Sequence, residues 1–387
     1  MMENGVVAPF CNMLGKSDEE ITLKVLDGIK KALNNAQNRE KVIELIEKCE
    51  GLQKIKQLKT KESKLVLKML LTSRPPVSKE ILLQNVNPKF GEPLLSTIVD
   101  TTDTQFDDIE ENSAAKSALE ENVVLPSLNP NLFTGLLAPS KAILLFGPPG
   151  NGKTMLAKAV ANECNATFFS ISASTIGSKW HGESENIVKT LFQMARNAQP
   201  SIIFIDEVDS LLCQRSSTDG DGSRRVKTEF LVQMDGCSSC SMANDRVLVL
   251  GATNRPQDLD EGVMRRFTRR IFIDLPNQKA RFEMIRKSFE QNKIKLGFSY
   301  DELEQFAVKT ENYSYSDLTA LCQAAALCLV KSARENNRRL IGVTVDHLRP
   351  ITVNDLECAL NKVKPSASPG NRQELIDFAK KHADLSL

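Results

Sequence analysis

A loop able to hold phosphate groups is the clearest chemical signal in this chain. Residues 147–154 read GPPGNGKT and match the pattern G-x-x-x-x-G-K-[ST] at every position. The glycines let backbone N–H groups approach phosphate oxygens, the lysine can reach the β- and γ-phosphates of a nucleotide, and the threonine hydroxyl can bind Mg²⁺. The residues predicted to contact the nucleotide are Gly147, Pro148, Pro149, Gly150, Asn151, Gly152, Lys153, Thr154 and Met155.

Two neighbouring carboxylates, Asp206 and Glu207, follow the apolar run 202–205. An acidic residue in this position can complete the Mg²⁺ coordination begun by the loop threonine, and a second one can polarise an attacking water. Asn254 follows another apolar run, 247–253, and its amide can position that water near the γ-phosphate. Together with the complete phosphate loop, these residues favour nucleotide hydrolysis.

An arginine pair, Arg265 and Arg266, follows these motifs. The pair lies too far along the chain to serve its own site easily, and two interpretations stay open. The arginines form a solvated surface, or they are arginine fingers that act on the nucleotide of a neighbouring subunit. The second interpretation requires a ring of subunits.

The elements that position these residues can be read from the apolar pattern. Ala142–Phe146 is a strand that ends at the phosphate loop, a helix begins after the loop, and 271–276 is the last strand of the series. Beyond it the apolar spacing becomes helical, over 281–289, 300–310, 316–335 and 353–362. The sequence therefore predicts an α/β domain followed by a helical region.

The blocks GPPGNGKT, SIIFIDEVDSLL, SRRVKTEFLVQMDG, GATNRPQDLD and RRF resemble those of the AAA ATPases. Within that family the chain resembles the group that contains spastin, katanin and fidgetin, and its flanking segments are most similar to the spastin branch. The resemblance covers residues 80–387. It implies a P-loop ATPase domain, with a parallel sheet flanked by helices, a C-terminal helical lid, ATP and Mg²⁺ as cofactors, and a homo-hexamer that forms on ATP binding.

The same resemblance implies a role for each polar residue of the motifs. Asp206 supports the metal, and Glu207 is the catalytic carboxylate. Asn254 is the sensor of the γ-phosphate. Arg265 and Arg266 are the arginine fingers.

Members of this family thread polypeptide through the hexamer on a loop with an aromatic residue between a lysine and a glycine. Here that loop is 179–182, and Trp180 is the single tryptophan of the chain, in a polar segment that disfavours a core position. His181 stands where the family has an apolar residue. The histidine either alters substrate preference or is a substitution that the loop tolerates without a change in function. With a second pore segment implied at 223–225, the residues predicted to face the substrate are Lys179, Trp180, His181, Ser223, Arg224 and Arg225.

Changes in pattern predict five segments. They are a helical region at 1–75, a linker at 76–105, a large α/β subdomain at 106–275, a helical segment at 276–365 and a C-terminal helix at 366–387. The family resemblance implies that 276–365 is the lid and that the C-terminal helix packs back on the large subdomain. The helical region weakly resembles the microtubule-interacting-and-trafficking module of the family. A degenerate copy of that module and an unrelated bundle both fit it.

Basic residues are concentrated between 51 and 90, a segment that contains nine lysines and arginines and only two glutamates. Such a segment attracts polyanionic partners. In spastin-like enzymes a basic segment before the ATPase domain binds microtubules, whose tubulin tails are acidic. Leucines are interleaved with the lysines here, so a solvated helix face is an equal alternative.

Composition limits the classes of partner. The net charge is +1, which gives no bias towards nucleic acid, and no apolar run approaches the roughly 18 residues of a membrane span. We therefore expect no nucleic-acid partner and no transmembrane segment. The nine cysteines are an odd number, which indicates reduced thiols. The expected location is the cytoplasm, in association with the cytoskeleton.

Residues near the expected position of the base depart from the family pattern, at Asn112, Asn312 and Tyr315. Tyr315 stands in place of a glycine, so it adds volume and cannot take a positive φ cheaply, and a change in ATP affinity or base selectivity is expected. The leading hypothesis is a microtubule-severing motor that threads acidic tubulin tails. The alternatives are a remodeller of other polymers, such as membrane-scission filaments, and a weakly active scaffold that assembles with an active homologue.

Overall fold

The computed structural model describes residues 19–33, 77–99, 112–130, 132–172, 183–213, 221–239, 245–335 and 348–383, with isolated positions between 42 and 58 and between 101 and 109. The chain forms two compact units, residues 1–78 and 79–387. In the first unit, helix α1 spans Glu19–Leu33. Its Val25, Leu26 and Ile29 are buried, at the spacing that places them on one helix face. Most of the remaining predicted helical region lies outside the described residues.

A six-stranded sheet forms the centre of the second unit, in the order β1-β3-β4-β5-β2-β6. All neighbouring strands are parallel except β1 and β3. Every residue of β2, β4 and β5 is buried, which is typical of parallel strands covered on both faces. The strands span Ile98–Val99 (β1), Ala142–Phe146 (β2), Thr167–Ile171 (β3), Ser201–Ile205 (β4), Val247–Thr253 (β5) and Arg269–Phe272 (β6).

Helices connect the strands and lie beside the sheet. The last predicted strand, 271–276, is observed as β6, which begins two residues earlier and ends four residues earlier, at Arg269–Phe272. Short 3₁₀ turns occupy Leu95–Thr97, Gly135–Leu137 and Pro256–Asp258, and a π-helical turn occupies Glu120–Val124. The helices of this part are Lys79–Leu82 (α2), Pro88–Leu94 (α3), Ser113–Leu119 (α4), Leu125–Leu128 (α5), Lys153–Glu163 (α6), Ser184–Asn197 (α7), Val208–Leu212 (α8), Asp221–Ser239 (α9) and Glu261–Arg266 (α10).

The segment 76–105 was expected to be a linker, and the structure corrects this. It contains α2, α3 and β1, and β1 extends the sheet by pairing with β3. Asn197 at the end of α7 donates hydrogen bonds to the carbonyls of Leu82 and Gln84, at 3.3 and 2.8 Å. Short helices with prolines and polar surfaces give little periodic signal, so the sequence pattern does not reveal that this segment is packed.

The lid is a separate helical layer with its own apolar core. Its helices are Gln278–Gln291 (α11), Tyr300–Lys309 (α12), Tyr315–Glu335 (α13) and Val353–Lys362 (α14), within a few residues of the predicted ranges. Arg281 is 8% exposed and donates to the carbonyls of Ala307 and Pro276 and to the hydroxyl of Thr310, at distances of 2.9 to 3.3 Å. This buried cation therefore joins α11 to α12 and to the chain leaving the sheet.

The C-terminal helix, α15, spans Pro369–His382. Its Leu375 and Ala379 are buried against Phe146 and Phe272, at the ends of β2 and β6. Arg372 adds a two-point ion pair to Asp274, with nitrogen–oxygen distances of 3.0 and 2.7 Å. The helix thus packs against the edge of the sheet formed by β2 and β6. In the described part of the chain, no helix is long and apolar enough to cross a membrane.

Candidate active site

The phosphate loop joins β2 to α6 and depends on glycine at its first position. Gly147 has φ = 147°, and a Cβ there would lie 2.0 Å from the carbonyl oxygen of Ile273. Gly152, at φ = 78°, forms the N-terminal cap of α6. Only glycine adopts these conformations without strain. The loop therefore directs the N-terminal end of α6, with its unpaired N–H groups, towards an anion.

Lys153 is the buried cation of this loop. Its Nζ donates to the carbonyl oxygens of Gly147 and Pro148, at 3.0 and 2.8 Å. Burial lowers the pKa of Lys153 to about 8, and the carboxylate of Asp206 opposes part of that shift. Among the described residues its hydrogen-bond partners are carbonyls of its own loop, which compensate an ammonium group poorly for lost hydration. Phosphate oxygens offer it stronger, charge-assisted partners.

The sheet order brings the ends of three strands together. Strand β5 lies between β2 and β4, so Asn254 lies between the phosphate loop and the acidic pair. The hydroxyl of Thr154 donates to Oδ2 of Asp206 at 3.0 Å. This contact joins the two residues predicted to bind Mg²⁺.

Glu207 has an unusual backbone. Its φ and ψ are 48° and 51°, in the left-handed region, and it caps helix α8. Its N–H donates to Oδ1 of Asp206 at 3.0 Å, and its residue surface is exposed while Asp206 is half-buried. Positive φ at a non-glycine residue costs on the order of 1–3 kcal/mol and is concentrated at functional sites. The turn separates the two carboxylates, so that they can serve different chemical roles.

Two buried acceptors at the site lack partners among the described residues. They are the side-chain oxygens Oδ1 of Asn151 and of Asn254. Buried polar atoms are nearly always hydrogen-bonded, so each of these calls for a donor from outside the described residues. A bound nucleotide with its waters supplies such donors. With the loop cation and the Thr154–Asp206 pair, the residues fit ATP and Mg²⁺.

One contact that supports Asn254 was not found from the sequence. Thr253 is 1% exposed, and its hydroxyl donates to Oδ1 of Asp209 at 2.6 Å. The same hydroxyl accepts the N–H of Arg255 at 2.9 Å. The Thr253 hydroxyl therefore bonds to the residue that follows Asn254, and Asp209 orients that hydroxyl. The sequence signal that could have revealed this contact is Asp209, an acidic residue three positions after Asp206.

A cavity of about 330 Å³ lies between the phosphate loop, α11 and α13. Gly150, Gly152 and Met155 line it on one side, and Lys287 and Tyr315 line it on the other. Its position beside the loop makes it the candidate space for the base of a nucleotide. The predicted added volume of Tyr315 is thus located at this cavity.

The predicted backbone strain at Tyr315 is not observed, because this residue begins helix α13. Asn312 and Asn112 instead take the positive φ values, 66° and 57°. Asparagine tolerates this conformation better than most residues. Of the three residues, Tyr315 lines the cavity, and its backbone there is helical.

The remaining predicted site residues are placed only in part. Arg224 and Arg225 are exposed on helix α9, whose first turn also contains Ser223. Arg265 and Arg266 end helix α10. Lys179, Trp180 and His181 lie outside the described residues, although Glu183, which follows them, pairs with Lys89 of α3 at 2.6 Å.

Comparisons with known proteins agree with this geometry. Residues 143–275 match the model of the ATPase family associated with various cellular activities (AAA), and residues 301–340 match the AAA+ lid domain. The chain is 50% identical over 306 residues to a spastin homolog of Caenorhabditis elegans, covering 79% of this chain and 59% of that protein. The chain spans about half the length of the curated relatives it matches.

Two solved structures are similar over nearly their whole length. The FIGL-1 AAA domain has a TM-score of 0.70 and 40% identity, covering 79% of this chain and 98% of that one. A structure titled for the basis of katanin self-assembly has a TM-score of 0.61 and 38% identity, covering 80% and 99%. With its phosphate loop, acidic strand end and helical lid, the chain belongs to the AAA family of ATPases.

Proposed function

We propose that this protein hydrolyses ATP at the site between β2, β4 and β5. Lys153 and the N-terminal end of α6 hold the phosphates, and Thr154 and Asp206 hold Mg²⁺, which would neutralise charge on the transferring phosphoryl group. Glu207 accepts a proton from the attacking water. Asn254 orients that water through its unpartnered Oδ1. The contact between Thr154 and Asp206 beside the separately exposed Glu207 is the observation that carries this proposal.

The active form is proposed to be a homo-hexamer that forms on ATP binding. Arg265 and Arg266 lie at the end of α10, and the side chain of Arg265 is 80% exposed. An exposed arginine can serve a nucleotide on a neighbouring subunit as a finger that stabilises charge on the transferring phosphoryl group. The similarity to a structure titled for katanin self-assembly supports this arrangement.

The substrate is proposed to be the acidic tail of tubulin, threaded through the hexamer to sever microtubules. Arg224 and Arg225 provide exposed positive charge on α9, which suits an acidic polypeptide. The other proposed substrate-facing residues are Lys179, Trp180, His181 and Ser223. Similarity to spastin over the AAA domain supports tubulin rather than another polymer. The proposed location is the cytoplasm, on the microtubule cytoskeleton.

Co-sedimentation with microtubules tests the substrate directly. The Glu207→Gln protein, with ATP, is expected to pellet with intact microtubules and to remain in the supernatant when the acidic tails have been removed by protease. Equal pelleting with both kinds of microtubule would exclude the tail as the binding site. No pelleting with either kind would remove tubulin from the proposal.

Deletion of residues 51–75 is expected to weaken microtubule binding without lowering ATP hydrolysis in the absence of microtubules. The segment contains most of the basic residues between 51 and 90. Its attraction to acidic tails acts over about 8–10 Å at physiological ionic strength, so raising the salt concentration should reproduce the loss. The measurement is the dissociation constant by co-sedimentation at several salt concentrations.

A charge variant separates electrostatics from folding of the first unit. Replacement of Lys54, Lys56 and Lys59 by glutamine is expected to weaken binding in the same direction as the deletion. The matched control replaces Lys380 and Lys381, on the C-terminal helix, by glutamine. If the deletion variant and the triple glutamine variant both bind microtubules like the wild type at low salt, the basic segment has no role in microtubule binding.

A further inference from the structure

The two arginines at the end of α10 have different surroundings. Arg266 makes a two-point ion pair with Asp235 of helix α9: Nε donates to Oδ1 at 3.0 Å, and Nη2 donates to Oδ2 at 2.6 Å. Its Nη1 also donates to the carbonyl of Gly262 at 3.0 Å. Arg265 pairs only loosely with Glu261, at 3.7 Å, and the two side chains are 80% and 91% exposed.

The helix that carries the pair is short and is held from several sides. The side chain of Asp260 caps its first turn by accepting the N–H of Gly262 at 2.7 Å. Phe267, which follows the helix, is fully buried and packs so closely on β5 that a Cβ at Gly251 would lie 2.8 Å from its ring. Arg270 donates to the carbonyl of Met264 at 2.8 Å. The Asp235 pair fixes the last residue of this rigid turn to α9.

The bidentate geometry sets the cost of moving Arg266. Parallel N–H···O bonds between a guanidinium and a carboxylate are among the strong charge-assisted pairs and restrict orientation. Asp235 raises the pKa of Arg266 above its ordinary value through these hydrogen bonds. To reach a nucleotide on another subunit, Arg266 would have to leave both oxygens and the Gly262 carbonyl. Arg265 would give up only a long, exposed pair, which contributes little.

We propose that Asp235 is a positioning residue for the finger helix. It holds Arg266 as a strut between α10 and α9, so that Arg265 is the arginine that reaches the nucleotide of the neighbouring subunit. This assignment rests on the proposed function, since it divides the roles of the two arginines that the family resemblance implies are fingers. It gives Asp235 no contact with nucleotide.

A double-mutant cycle in ATP turnover tests the strut. Asp235→Ala and Arg266→Ala are each expected to lower kcat by about 10–100-fold, the scale of a misplaced group, with KM for ATP nearly unchanged. The double variant should be no slower than either single variant, because both remove the same pair. Asp235→Glu should recover part of the loss and Asp235→Asn should not. Arg265→Ala should lower kcat further, by about 1,000-fold.

The matched control is an equally short, exposed ion pair on the lid, between Lys309 and Glu357 at 2.6 Å. Glu357→Ala should leave kcat and KM at the wild-type values. The strut is excluded if Asp235→Ala turns over like the wild type. It is also excluded if Arg266→Ala is far slower than Asp235→Ala, or if the double variant is slower than both, because Arg266 would then act on nucleotide itself.

Mixed rings distinguish a failure of this assignment from a failure of the proposed function. Lys153→Ala subunits have intact arginines but a defective phosphate site. Mixed with Arg265→Ala or Asp235→Ala subunits, they are expected to restore part of the ATP turnover. Absence of rescue for Arg265→Ala, in rings shown to be mixed by pull-down of a tagged subunit, would reject fingers acting between subunits. Rescue of Arg265→Ala combined with wild-type kinetics of Asp235→Ala would reject the strut alone.

Discussion

The Glu207→Gln protein is expected to bind ATP and to hydrolyse it about 100- to 10,000-fold more slowly than the wild type, the range for loss of a general base. Glutamine keeps the size of the side chain and can occupy the same left-handed backbone at φ = 48°. It cannot accept the proton of the attacking water. The residues that hold phosphate and metal, including Lys153 and the Thr154–Asp206 pair, are unchanged.

Two measurements separate hydrolysis from binding. Steady-state phosphate release measures ATP hydrolysis, and retention of radiolabelled ATP after gel filtration measures ATP binding. The expected variant retains ATP in assembled rings and releases almost no phosphate. Glu304→Gln, an exposed carboxylate on the lid helix α12, is the matched control and should hydrolyse ATP normally. If Glu207→Gln releases phosphate at near the wild-type rate, Glu207 is not the base.

The Trp180→Ala protein is expected to lose microtubule severing while its ATP hydrolysis without microtubules stays within about twofold of the wild type. An aromatic ring can grip side chains of many kinds through its large apolar surface, and alanine removes that surface. The phosphate site is formed by other elements, at the ends of β2, β4 and β5. The variant should therefore hydrolyse ATP without severing microtubules.

Fluorescence microscopy of labelled microtubules measures severing, and phosphate release measures hydrolysis in the same preparation. Trp180→Phe keeps an aromatic ring and should retain much of the severing. Severing by Trp180→Ala at the wild-type rate would show that this residue does not grip the substrate. A wild-type protein that neither hydrolyses ATP nor severs would support the scaffold alternative, with Tyr315 in the base cavity as its structural reason.

The phosphate loop and the strands around it could be predicted from the sequence because their determinants are local. The glycines at 147 and 152 take positive φ values that few other residues can adopt, and β2, β4 and β5 are continuous apolar runs. The lid helices have amphipathic spacing, so their predicted ranges are close to the observed ones. Each of these signals lies within a short window of the chain.

Contacts between distant parts of the chain could not be predicted in this way. Asp235 and Arg266 are 31 positions apart, and nothing in either segment marks the other as its partner. The packing of 77–99 along α7 depends on backbone carbonyls of Leu82 and Gln84, which carry no sequence signal. The orphaned oxygen of Asn254 is visible only once the burial of the strand end is known.

Helix α15 gives residues far from the phosphate loop in sequence an influence on the nucleotide site. Phe146, the residue directly before the phosphate loop, is fully buried, and its ring lies 5.4 Å from those of Phe378 and Phe272. A frameshift or stop codon shortly before residue 369 would remove Phe378 and Leu375 and expose this aromatic cluster to water. Such truncations would uncover the strand that leads into the phosphate loop, although they leave every motif residue in place.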